Sequence, residues 1–128
     1  MSDLYLVRHG QTELNVRNIL QGWQDSPLTE CGREQALATR AAFEARGISF
    51  DHAYSSPLGR ARHTAELIVG EDLPIEPVDD LREWRLGSLE GTSNRKMPPQ
   101  PWGDYPVAFG GESEAQFRAR MVAALSRI

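Results

Sequence analysis

"LYLVRHGQTELN", residues 4–15, decides how the rest of this chain is read. Leu4, Tyr5, Leu6 and Val7 form an uninterrupted apolar run. A run without polar alternation predicts a strand buried on both faces, as in a parallel sheet covered by helices. The run breaks off in Arg8-His9-Gly10, so the strand delivers a cation and an imidazole at its carboxyl end. In open α/β sheets that end is where ligands bind.

The segments that follow support a layered fold. Residues 8–28 are polar and read as a long loop with one helical turn. A helix is predicted over about residues 30–46, with Thr29 as N-cap and Gly47 as stop. Leu37, Ala41 and Ala45 share its apolar face, with Phe43 nearby. A second strand is predicted around residues 50–55. Ser56-Pro57 then predicts a helix start, serine suiting the cap and proline the first turn. Leu58, Ala61, Ala65 and Ile68 form its stripe, and Gly70 ends it. Residues 75–78 read as a third short strand, and the Gly- and Pro-rich stretch 86–111 as loop. Ser113 and Gln116 make a capping box for a last helix, along which Phe117, Met121, Ala124, Leu125 and Ile128 line one side. Strands alternating with helices imply an α/β fold with a mainly parallel sheet. No repeat or linker divides the chain, so residues 1–128 are expected to form a single domain.

Composition narrows the function. Apolar residues are 40% of the 128 and charged residues 25%, with a net charge of −4. That balance argues against a broad nucleic-acid or membrane surface, both of which need excess positive charge. It leaves room for a small anionic ligand in a local basic pocket. The single cysteine, Cys31, excludes an internal disulfide and any multi-cysteine metal site. No apolar run approaches the ~18 residues of a membrane span, and the N-terminus lacks the pattern of a signal peptide. A cytoplasmic location is the expectation.

The predicted strand ends bring together Arg8 and His9, then Ser55, Ser56 and Arg60, then Arg82 and Glu83. That set suits a phosphate group. Arginine forks bind phosphate oxygens in pairs, neutral histidine is a nucleophile near neutral pH, and a carboxylic acid can protonate a departing alkoxide. Each residue alone is ordinary: Arg-His after a strand is usually a solvated turn, Arg60 suits a helix surface, and Glu83 could pair with Arg82 or Arg85. Convergence on one sheet edge is what singles them out. His63 reads as a structural or rim residue, His52 as packed or edge-exposed, and Trp84 and Trp102 as packing residues or pocket walls. The chain contains no GxGxxG, no HExxH, no GxSxG and no lysine-bearing phosphate loop.

Five ordered blocks carry a resemblance. They are "LVRHGQTELN", "GWQDSPLTECG" (22–32), "YSSPLGRARHTAE" (54–66), "LREWRLGSLEG" (81–91) and "GGES" (110–113). Together they resemble the histidine phosphatase superfamily, known also as the phosphoglycerate mutase-like family. The resemblance implies a three-layer α/β sandwich with a mainly parallel sheet. It implies His9 as the nucleophile that becomes a phosphohistidine, Arg8 and Arg60 as the grip on the phosphate, and Asn15 as a further polar contact. Gln21 and Gly22 join the phosphate- and substrate-binding set. Glu83 would protonate the leaving group and then activate water. No metal and no cofactor is implied, and the expected partner is a small phosphorylated metabolite.

"GSLEG" and the short loop between Gly91 and Gly110 resemble the phosphatase branch, so hydrolysis of phosphate monoesters is the expectation. Phosphoglycerate mutase and a non-catalytic phosphate-binding module are the alternatives. The family also carries a second catalytic histidine, in an "HG" pair on a strand after the last helix seen here. Neither His52 nor His63 matches it. The C-terminal part of the family fold is therefore expected to be absent from these 128 residues. The final helix would then lack part of its packing surface; the expectation is a portion of a longer enzyme, the alternatives being a short form that binds phosphate without turnover and a second copy that supplies the strand in a homodimer.

Overall fold

The computed structural model describes residues 2–128. The elements in order are α1 (Glu13–Val16), α2 (Glu30–Ala45), β1 (Ala53–Ser55), α3 (Gly59–Val69), β2 (Ile75–Pro77) and α4 (Glu114–Arg127). β1 and β2 pair in parallel, Ala53 opposite Ile75 and Ser55 opposite Pro77. α3 makes the crossover between them and packs on α2 and on both strands. The chain is thus α/β, with a small parallel sheet and helices.

Local chemistry explains most of the boundaries. In α1 the Thr12 hydroxyl accepts from the Asn15 N–H at 3.2 Å, and the Asn15 carboxamide accepts from the Thr12 N–H at 3.0 Å. That reciprocal bonding holds one isolated turn that propensity alone would not. Thr29 caps α2 by accepting from the Gly32 N–H at 3.0 Å. Ser113 and Gln116 close the predicted capping box on α4, at 2.9 and 3.1 Å.

Three expectations are corrected. Residues 4–7 form no strand ladder, and the run is not buried: Leu4 is 58% and Leu6 74% exposed. Strand-forming residues need a neighbour to pair with, and among the described residues none hydrogen-bonds to this run in a ladder. Tyr5 anchors it, meeting Phe43 and Phe50 edge-on at ring separations of 5.3 and 5.8 Å. Second, α3 starts at Gly59 rather than at Ser56-Pro57, with Leu58 in the cap position. The Ser56 hydroxyl accepts from the Leu58 N–H, while the Arg60 N–H is taken by the carboxylate of Asp25, a distant loop residue. Third, the stretch 86–111 is not plain loop. It contains three 3-10 turns, Gly87–Leu89, Asn94–Lys96 and Tyr105–Phe109.

The core is small. Leu28, Ala36, Ile68, Leu86, Leu89 and Ala124 are its buried apolar side chains. On α4, Phe117 and Met121 turn inward beside Ala124, but Leu125 and Ile128 stay exposed at the rim of the groove that holds Leu4–Val7. Trp84 stacks on Phe117 at 4.9 Å and lies 5.5 Å from Trp102, which makes both tryptophans packing residues.

Candidate active site

His9 ends the extended run. Its Nδ1 lies 2.7 Å from the Gly10 carbonyl oxygen. A carbonyl only accepts, so Nδ1 carries the proton and Nε2 keeps a free lone pair. Gly10 is fixed in turn: its N–H donates to the Thr64 hydroxyl at 3.1 Å, and that hydroxyl donates to the Arg60 carbonyl at 2.7 Å. A further constraint is steric. A Cβ on Gly10 would fall 2.5 Å from the Gly32 oxygen, and one on Gly32 would fall 2.1 Å from the Gln11 oxygen. Only paired glycines let the loop that carries His9 lie against the start of α2.

Burial holds the His9 pKa below its ordinary value of 6.5; the Arg60 and Arg8 guanidinium groups push the same way, against the Gly10 hydrogen bond and the Glu83 carboxylate. The imidazole is therefore neutral near pH 7. Arg8, Arg60 and Glu83 are thus the charged groups around His9. These four residues, with Ser55 and Ser56, line one open groove of about 1150 Å³. Arg8, His9 and Asn15 also border a smaller cleft of about 500 Å³ on the α2 side.

Arg60 is only 3% exposed. Its Nη2 donates to the Gly22 carbonyl at 2.6 Å, and its Nη1 to the Asp25 carboxylate at 3.3 Å and to the Gln24 carbonyl. Gly22 thus meets the site through its carbonyl. Gln21 is buried and accepts from the Ser26 hydroxyl at 2.8 Å, which places its amide oxygen inside the loop. The Asn15 oxygen is occupied by the α1 capping box.

Glu83 follows the turn Asp79–Leu81, and its carboxylate is exposed, accepting from the Trp84 N–H at 2.7 Å. It pairs with neither neighbour. Arg82 reaches Asp79 at 3.8 Å, and the Arg82 and Arg85 guanidiniums lie 5.0 and 5.3 Å from the Trp23 ring. The Trp23 indole N–H donates to the Glu83 carbonyl at 2.8 Å. His52 stands ahead of β1, where it lines the same large groove, and His63 is half-buried on α3.

Several supporting residues escaped the sequence reading. Asp25 and Thr64 hold Arg60 and Gly10. Glu90 accepts from the Trp23 and Leu86 N–H groups at 3.0 and 2.9 Å, joining two loops. Glu112 and Arg120 brace the segment around Glu83. All five look like surface polar residues in sequence, because their partners are backbone groups far along the chain.

A family model described as the histidine phosphatase superfamily (branch 1) matches residues 4–128. A 2,3-bisphosphoglycerate-dependent phosphoglycerate mutase of Beijerinckia indica is 42% identical over 108 residues, covering 81% of this chain and 52% of that protein. Among solved structures, Bacillus stearothermophilus YhfR superposes with a TM-score of 0.78 at 35% identity, over 94% of this chain and 63% of that one. A phosphoglycerate mutase from Bacillus anthracis gives a TM-score of 0.76 at 31% identity, over 93% and 63%. The chain spans about half the length of the first curated relative.

Proposed function

This chain belongs to the histidine phosphatase superfamily, branch 1, and we propose that it moves a phosphoryl group from a small phosphorylated metabolite onto Nε2 of His9. One observation carries the reading: the Nδ1 bond to Gly10 leaves Nε2 as the free nucleophilic atom, within the electrostatic reach of two arginines. Arg8 and Arg60 neutralise the phosphate oxygens. The Nε2 lone pair attacks phosphorus, and the bond from phosphorus to the ester oxygen breaks. That oxygen keeps the electron pair and takes a proton from Glu83. An acceptor oxygen then attacks the phosphohistidine, gives its proton to Glu83 and restores His9. The positive charge the transfer needs comes from side chains of the chain itself.

The acceptor separates two readings. The names of the curated relatives favour a phosphoglycerate as donor and acceptor, hence a mutase. Hydrolysis, with water as acceptor, is favoured by the exposed Glu83 carboxylate at the mouth of an open groove. Labelled phosphoglycerate should leave acid-labile, base-stable phosphate on the protein. His9→Ala should remove the label and slow transfer by roughly 1000-fold or more. Equal labelling of the variant would falsify the assignment. Interconversion of the two phosphoglycerate isomers marks the mutase; release of inorganic phosphate alone marks the phosphatase. The acid limb of kcat/KM should lie below pH 6.5, because His9 protonates only below the ordinary histidine value.

A further inference from the structure

We infer that Arg120, on α4, is a positioning residue for Glu83, holding the acid at the site through the backbone of residues 80–85; the inference rests on the phosphoryl-transfer reading above. The Arg120 side chain is 14% exposed and its ion-pair partner Glu112 13%. A guanidinium has five N–H donors in a rigid fork, and here five bonds leave it. Nη1 donates to the Asp80 carbonyl at 2.9 Å and to the Arg82 carbonyl at 2.6 Å. Nη2 donates to the Glu83 carbonyl at 3.1 Å and to one Glu112 oxygen. Nε donates to the other Glu112 oxygen at 3.3 Å. Three of the five bonds fall on the segment bearing the acid, and one of them on Glu83 itself.

Glu112 completes the brace from the other side. Its carboxylate accepts from the Arg85 N–H at 2.9 Å, its own N–H donates to the Arg85 carbonyl at 2.9 Å, and its carbonyl accepts from the Trp84 indole at 2.8 Å. Residues 83–85 lie between the turns Asp79–Leu81 and Gly87–Leu89 and have no helix or ladder bonds of their own. The place of the Glu83 carboxylate therefore depends on contacts made to its backbone from elsewhere, and Arg120 makes more of them than any other side chain. Charge-assisted bonds in a half-buried setting are strong and directional. A lysine has the charge but not the fork, so it cannot serve three carbonyls and a carboxylate together. Catalytic groups held about 1 Å out of place lose rate roughly 100-fold.

The role can be read through the leaving group. A glycerol phosphate ester needs its departing alkoxide protonated; a dinitrophenyl phosphate ester does not. Single-turnover labelling of His9 from each ester should be compared in the wild type, Glu83→Gln, Arg120→Met, Arg120→Lys and Arg118→Met. Arg118 is an exposed neighbour on α4 paired with Glu114, so its variant should match the wild type. Both Arg120 variants should follow Glu83→Gln, slowing labelling from the glycerol ester by roughly 100-fold and from the dinitrophenyl ester far less. The lysine variant keeps charge and length, which keeps the test open where the methionine variant fails to fold. Equal losses with both esters, or no loss, overturn the positioning role while leaving the phosphoryl-transfer reading intact. Failure of the wild type to label from either ester overturns that reading, and the inference with it.

Discussion

The segment carrying Glu83 and the run carrying His9 reach the same groove by opposite means. Residues 82–86 have no regular structure, yet Arg120, Glu112 and Trp23 bind their backbone at nearly every step. Residues 4–7 have the composition of a strand, yet among the described residues they have no ladder partner, and they expose Leu4 and Leu6. His9 is nevertheless fixed, because the residues just after it are held by Thr64 and by the Gly10–Gly32 approach. Position at the site thus follows from where polar bonds and close contacts are made. Regularity of the supporting element matters less. An apolar strand stabilises only when neighbours cover it, whereas a well-bonded irregular segment carries its own constraints.

Three substitutions would break or sharpen this contrast. Arg60→Ala should cost most, about 3–5 kcal/mol. It removes a buried cation, leaves the Gly22 and Gln24 carbonyls without their guanidinium donor, and leaves the Asp25 carboxylate with the backbone N–H of residue 60 but without its ion pair. Urea denaturation measures the loss, and a change below about 1 kcal/mol would show the polar web to be slack. Gly32→Ala comes next, at about 1–3 kcal/mol, because the new Cβ must displace the Gln11 carbonyl. The same variant should slow labelling of His9, since Gly10 must move; a stable variant with unchanged labelling would detach that packing from the site. Leu6→Glu should cost least, within about 0.5 kcal/mol, as expected for a side chain already 74% exposed. A loss of several kcal/mol there would mean that the run is covered in solution and would remove the contrast.

Much of the fold was legible where the signal is local. Thr29 and Ser113 announce α2 and α4 because a cap and its N–H partner lie within one turn of each other. β1 and β2 were legible as short segments between turn residues, although the first is three residues where six were expected. The start of α3 was misplaced for a physical reason: the carboxylate that binds its first turn is Asp25, 35 residues earlier in the chain. The strand at Leu4–Val7 was misread because apolar composition records what a segment could pair with, and pairing itself is a contact with something else.

The candidate site divides along the same line. Sequence alone singled out Arg8, His9, Arg60 and Glu83 as one candidate set whose chemistry suits a phosphate, because residue type and ordered motifs are properties of the chain. It also determined the histidine phosphatase resemblance. Only the tertiary structure decided that Nδ1 of His9 is the protonated nitrogen, that Gly22 offers Arg60 its carbonyl, and that Arg120 and Glu112 hold the Glu83 segment. These are bonds between groups tens of residues apart, and their worth depends on burial and direction, which exist only once the chain has folded.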